Sequence, residues 1–174
     1  MAEYWDLLDE NRLPVGKRHL RGETIPSGLY HLVVHSWVMD ENGLFLISRR
    51  QAGRTDECLW ERTGGSVLAE ETSLQGAVRE VMEELGVDVS NSKSFLVKSV
   101  KREDRHDFFD AWLFIVKNSD VCCKMDEKEV MDWKWATREE MDNLKKQHLL
   151  VDSSEYYDEV YSFYKRVSEL IENH

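Results

Sequence analysis

Residues 65–87 read G-S-V-L-A-E-E-T-S-L-Q-G-A-V-R-E-V-M-E-E-L-G-V and combine a glycine turn, a short loop and a helix with two unlike faces. From Leu74 onward the apolar residues Leu74, Ala77, Val78, Val81, Met82 and Leu85 recur at the spacing of a 3.6-residue helix, so one face is built to dock on a core. Thr72 followed three positions later by Gln75 is a capping-box start, Gly86 supplies a left-handed stop, and Val87 folds back over the last turn. On the other face Glu80, Glu83 and Glu84 stand at i, i+3 and i+4, which brings their carboxylates within roughly one turn, about 5 Å of rise. Like charges held so close repel unless a cation lies between them. An oxygen-only ligand set suits a hard divalent ion, magnesium or manganese rather than zinc.

An E-x-x-E-E run alone is also what the solvated face of any acidic helix shows. Here the surrounding residues decide. With Gly65, Glu71, Arg79 and Gly86 the stretch fits G-x5-E-x7-R-E-U-x-E-E-x-G-U, where the two apolar U positions are Val81 and Val87. At ordinary residue frequencies its seven fixed letters coincide at one start point with a probability of about 10⁻⁹ to 10⁻⁸.

This pattern resembles the signature of the Nudix family at every fixed place. The resemblance implies an α/β (α+β) fold, an α/β/α sandwich with a mixed β-sheet between helices. It implies a magnesium- or manganese-dependent hydrolase that cleaves a diphosphate linked to another group, as in a nucleoside diphosphate derivative. By the same resemblance the metal sits on Glu80, Glu83 and Glu84 with the backbone carbonyl of Gly65, and Arg79 orients the acids. Arg79 lies four residues before Glu83 and can fork onto a carboxylate without titrating; Glu71 is its other plausible partner. The general base is Glu83, between the ligand positions on the same face, or a glutamate outside the box, Glu129 or Glu127.

The stretch from Tyr30 to Trp135 is also similar to a narrower branch, the isopentenyl-diphosphate isomerases. That likeness rests on H-L-x-x-x-S-W at His31 to Trp37, on Arg49 and Arg50, and on D-E-K-E-V-M-D-W-K-W at Asp126 to Trp135. It makes Arg50 and Arg54 candidate diphosphate contacts, with Arg62 a third. Isomerisation needs a carbon acid-base pair, and most of that machinery is missing. Gly64 stands in the place of the isomerase cysteine, Ser66 in that of a histidine and Thr24 in that of another. The later acid pair falls near Phe108 and Asp110, so one acid survives. Cys58 reads as an incidental loop cysteine. The chain is therefore expected to hydrolyse; the alternatives are isomerisation and a catalytically silent ligand-binding module.

A net charge of −11 disfavours a nucleic-acid polymer as partner but not a small phosphorylated substrate, because bound metal inverts the local sign. The 174 residues with 41% hydrophobic content suit one domain: an N-terminal hairpin over 1–29, a core over 30–150 and a C-terminal helix over 151–174. No apolar run reaches membrane-spanning length and the N-terminus lacks a secretory leader, so a cytoplasmic protein without a membrane partner is expected. Cys58, Cys122 and Cys123 have neither metal-ligand spacing nor the even count of a disulfide framework. A two-fold homodimer is the default assembly.

Strands are expected over 30–39, 44–50, 94–101, 108–117 and 129–135, with helices over 137–146 and 155–172. Residues 30–50 form the clearest hairpin, 51–59 a loop, and Trp60 to Gly65 a lead into the box. His31 and His35 share one strand face and read as hydrogen-bonding residues at the core edge. Trp37, Trp112 and Trp135 read as core.

Overall fold

The computed structural model describes residues 2–172. Tyr4–Leu8 (β1) and Pro14–Leu20 (β2) form a separate antiparallel ribbon. The main sheet contains His31–Asp40 (β3), Phe45–Arg50 (β4), Trp60–Glu61 (β5), Thr63–Ser66 (β6), Lys93–Arg102 (β7), Asp107–Val116 (β8) and Val130–Ala136 (β9). Three helices accompany it: Ser73–Leu85 (α1), Arg138–Lys146 (α2) and Tyr157–Glu172 (α3). Strand order is β5-β4-β3-β8-β7, with β6 on β3 and β9 on β4. The β3–β8 pair is parallel and the other pairings are antiparallel, so the sheet is mixed.

Side-chain alternation along the strands divides the core into two layers. Val34, Val38, Leu46 and Phe114 meet Ala77, Val81 and Leu85 of α1 on one face. On the other, Trp37, Met39, Phe45 and Ile47 meet Met141 of α2 and Tyr157 and Val160 of α3. The result is the expected sandwich of helix, mixed sheet and helices. Each of the first two helices starts on a complete capping box. Thr72 Oγ1 accepts from Gln75 N at 3.3 Å while Gln75 Oε1 accepts from Thr72 N at 2.8 Å, and Thr137 and Glu140 repeat the exchange. Gly86 ends α1 at φ 65°, its N–H donating to the Met82 carbonyl.

Two local expectations change. The hairpin of β3 and β4 is paired at Val38↔Leu46 and Met39↔Phe45, because the earlier part of β3 pairs instead with β6. Trp60 to Gly65, expected as a simple lead-in, instead falls in two short strands, Trp60–Glu61 and Thr63–Ser66. T-G-G-S has poor intrinsic strand propensity, and the pairing of Val34 with Gly65 and His35 with Gly64 overrides it. Of the tryptophans, Trp37 is fully buried, while Trp112 and Trp135 are partly buried against the α1 layer.

A two-stranded ribbon is marginal alone; the β1–β2 hairpin is held by the domain. Leu8 and Tyr30 exchange backbone hydrogen bonds of 2.8 and 3.0 Å, and Ala69 N donates to the Tyr4 carbonyl at 2.7 Å. Trp5 stacks on His31 with ring centres 4.1 Å apart. At the hairpin turn Arg12 forks onto the buried carboxylate of Asp110 at 2.8 and 2.5 Å.

Candidate active site

Because α1 packs by Ala77, Val81 and Leu85, its acidic face turns toward the end of β6. The contact between them is close. A side-chain carbon added at Gly65 would overlap the Glu80 carboxylate, and one at Gly64 would overlap the Val34 carbonyl oxygen. Gly64 requires glycine because the obstacle is backbone, whereas a side chain at Gly65 would displace the Glu80 carboxylate.

Arg79 organises the acids. Its Nε and Nη2 fork onto Glu71 at 2.8 and 3.0 Å, Nη1 reaches Glu80 at 2.8 Å and Glu83 at 2.9 Å, and Nη2 also donates to the Ser66 carbonyl at 3.0 Å. Burial disfavours its charge, but the Glu71 hydrogen bond and the Glu80 carboxylate outweigh that and raise its pKa. Burial likewise opposes ionisation of Glu71, yet the Arg79 bond and the Leu68 N–H carry its pKa below the usual value. Both expected partners of Arg79, Glu83 and Glu71, are thus engaged, together with Glu80.

The three box glutamates sit in unlike surroundings. The Glu83 side chain is 58% exposed. Glu80 is largely buried, and burial pushes its pKa up against the pull of Arg79. Glu84 is 9% exposed and its Oε2 has no hydrogen-bond partner. Burial, with the neighbouring charges of Glu61 and Glu80, raises its pKa well above the ordinary carboxylate range. An orphaned carboxylate oxygen in a polar cleft is the condition a cation relieves.

These glutamates line a cleft of about 450 Å³. Gly65, Arg50, Arg54 and Glu129 line it too; Arg50 Nη1 pairs with Glu61 at 2.7 Å and Arg54 with Glu129 at 3.1 Å. Among the described residues, no three His, Cys, Asp or Glu side chains stand in ready chelating geometry, since Glu80 and Glu83 are turned onto Arg79. The donor set still fits a hard divalent ion: oxygen atoms throughout, one of them buried and unpartnered.

Arg62 is the exception among the expected contacts. It is 6% exposed, does not line the cleft, and donates from Nη2 to Ser153 Oγ at 3.2 Å. Glu127 also lies outside the lining, its carbonyl accepting from Gln51. His31 and His35 are buried on the sheet face opposite α1, where His35 Nδ1 meets the Tyr156 hydroxyl at 2.8 Å. Cys58 sits at φ 62° in the loop after β4 and is not in the cleft lining.

Four charged cleft residues were not read as site residues from the sequence: Glu61, Asp126, Glu3 and Arg21. Asp126 is placed by a backbone bond, its N–H donating to the Glu84 carbonyl at 3.0 Å. Nothing local announces Glu3 or Arg21, which arrive through docking of the hairpin.

Residues 29–157 match the family profile described as the NUDIX domain. The chain belongs to the Nudix family. An uncharacterized Nudix hydrolase of Listeria monocytogenes is 38% identical over 146 residues, spanning 82% of this chain and 85% of the relative. Among solved structures, DR0079 from Deinococcus radiodurans superposes with a TM-score of 0.69 at 19% identity, over 86% of this chain and 92% of that one. A bifunctional NMN adenylyltransferase/ADP ribose pyrophosphatase from Francisella tularensis, complexed with AMP and a manganese ion, gives a TM-score of 0.57 at 16% identity, over 80% and 42% of the respective chains. At such identities the structural likenesses speak for the fold. Membership of the Nudix family makes the chain a pyrophosphohydrolase acting on a small phosphorylated substrate.

Proposed function

We propose that this Nudix protein hydrolyses a diphosphate linkage with magnesium or manganese held by Glu80, Glu83, Glu84 and the Gly65 carbonyl. The observation that carries the reading is the convergence, in one cleft, of the Arg79-ordered glutamates with Arg50 and Arg54. Residues 30–150 form the catalytic core in this reading, and its three free cysteines suit the reducing cytoplasm.

A bound divalent ion supplies a water of lowered pKa and a clamp on phosphate oxygens. The remaining work falls to the chain. Arg79 gathers Glu80 and Glu83 at the cleft, and their carboxylates would be drawn off its Nη1 by a bound cation. Glu83, the most exposed of the three, accepts the proton of the attacking water. Glu129 is the rival base; it becomes available as substrate phosphate takes Arg54 from it. Arg50 and Arg54 orient the diphosphate.

The residues do not favour isomerisation. Position 64 accepts no side chain, and Asp110 is bound by Arg12 and Ser73 away from the cleft.

The test is a magnesium-dependent product assay across nucleoside diphosphate derivatives, dinucleotides and isopentenyl diphosphate. Phosphate or a monophosphate is the expected product. Glu83→Gln lowers kcat by about 10² to 10⁴, the usual weight of a general base, with the melting temperature retained, and Cys58→Ala changes neither. Full activity in Glu83→Gln with Glu129→Gln inactive would transfer the base to Glu129. Conversion of isopentenyl to dimethylallyl diphosphate without cleavage refutes hydrolysis.

A further inference from the structure

The β1–β2 hairpin forms part of the wall of the catalytic cleft, although it lies outside the main sheet and the family signature. Arg21, just beyond β2, and Glu3, just before β1, both line the cleft. Their place is fixed by backbone. Arg21 N donates to the Glu3 carbonyl at 2.9 Å, and the adjacent strand is bonded to the box loop through Tyr4 and Ala69. Glu70 N donates to Asp6 Oδ2 at 2.8 Å as a second tie. The hairpin is thus built onto the loop that leads into the catalytic helix, and the Arg21 guanidinium is presented to the cleft from a fixed strand end.

The cleft contains four arginines, and they are not equivalent. Arg79 is committed to three carboxylates and a carbonyl. Arg50, Arg54 and Arg21 each form one ion pair, with Glu61 at 2.7 Å, Glu129 at 3.1 Å and Glu3 at 2.5 Å. An arginine has five N–H donors, so each keeps donors for another anion. The Arg21–Glu3 pair is the most open to exchange of the three: its side chains are 58% and 43% exposed, and exposed ion pairs are weak. A phosphate offers more charge and more acceptor oxygens than Glu3 does. Arg50 and Arg54 come from β4 and the loop after it and serve the diphosphate in the proposed reaction. Arg21 comes from a different element, and Val130 is the single apolar side chain in the lining among the described residues. The cleft therefore offers a third cationic contact and almost no apolar surface.

We propose that Arg21 binds a substrate phosphate outside the cleaved linkage, making it a specificity-determining residue and making the preferred substrate one with a phosphate beyond its diphosphate. This rests on the pyrophosphohydrolase reading above.

The experiment is steady-state kinetics of the full chain with magnesium on matched pairs differing by one phosphate. Suitable pairs are coenzyme A with dephospho-coenzyme A, NADPH with NADH, and a nucleoside triphosphate with its diphosphate. Wild type favours the more phosphorylated member of at least one pair by about ten- to a hundredfold in kcat/KM, the range of a charge-assisted contact. Arg21→Ala removes that preference by raising KM for that member, with kcat unchanged. Arg18→Ala deletes a charge from the same hairpin at a side chain paired with Glu70 outside the cleft lining, and it keeps the preference. Three results overturn the inference: no preference in any pair, a preference that survives Arg21→Ala, or a KM raised alike for both members. Hydrolysis without preference defeats Arg21 alone, whereas no hydrolysis of any member by wild type defeats the pyrophosphohydrolase reading with it.

Discussion

Replacing Glu84 with glutamine separates stability from metal binding. Glu84 is 9% exposed, Oε2 has no partner, and the charges of Glu61, Glu80 and Glu129 oppose its ionisation while Arg62 favours it. Its pKa is raised in the fold, so the folded state holds the proton more tightly than the unfolded chain does. Stability from this group is therefore present at acid pH and lost as pH rises through the folded pKa. Glutamine keeps the shape without the charge. In EDTA at neutral pH, Glu84→Gln is expected to gain about 1–2 kcal/mol, the scale of relief at a functional site, or about 2–8 °C in Tm. Magnesium at about 100 times its Kd stabilises wild type by about 2.7 kcal/mol, or roughly 5–11 °C, and that increment shrinks or vanishes in the variant. Thermal melts of both proteins, with EDTA and with magnesium, at acid and neutral pH, read all of this. A variant that melts below wild type in EDTA, or keeps the full magnesium increment, refutes the account of Glu84 as an uncompensated ligand.

Two further predictions concern the frame around the site. Arg12→Met strands the Asp110 carboxylate, 1% exposed, and one-third exposure of Arg12 discounts the cost to about 2–4 kcal/mol. That lowers Tm by about 4–16 °C in a thermal melt; adding Asp110→Leu should restore much of the loss, and a single variant that melts like wild type refutes the role of the pair. His31 is buried, and desolvation is the chief cause that lowers its pKa to about 4. Because the unfolded chain takes up the proton first, stability is complete above pH 6.5 and falls as pH drops toward 4, by up to about 3 kcal/mol. His31→Phe, which can still stack on Trp5, should flatten that part of a urea-melt pH profile, and an unchanged slope contradicts it.

What the sequence disclosed follows the range of the interactions involved. The α1 helix, its cap at Thr72, its stop at Gly86 and the single-faced glutamates depend on neighbours within four residues, and each is readable from spacing alone. The strands over 31–50 and 93–116 were legible for the same reason, from β-branched and aromatic runs. Strand β6 was not, because two glycines pair with β3 only through tertiary contact. Arg62 shows the same blindness: its type and place suggested a phosphate contact, while the fold buries it toward Ser153. Arg21 is the converse: no motif marks it, and its place in the cleft follows from docking of the hairpin on the loop at Ala69 and Glu70.

The contrast with isomerase chemistry turns on one backbone approach. Pairing of His35 with Gly64 brings the Val34 carbonyl against the α-carbon of Gly64, so this chain has no room for an acid-bearing side chain at that point. Admitting one would require β6 to move away from β3. That movement would carry Gly65 from Glu80 and the Ser66 carbonyl from Arg79, loosening the group that orders the glutamates. The close strand contact that leaves no room for an acid-bearing side chain at position 64 is therefore also the contact that sets Gly65 against Glu80 and the Ser66 carbonyl against Arg79.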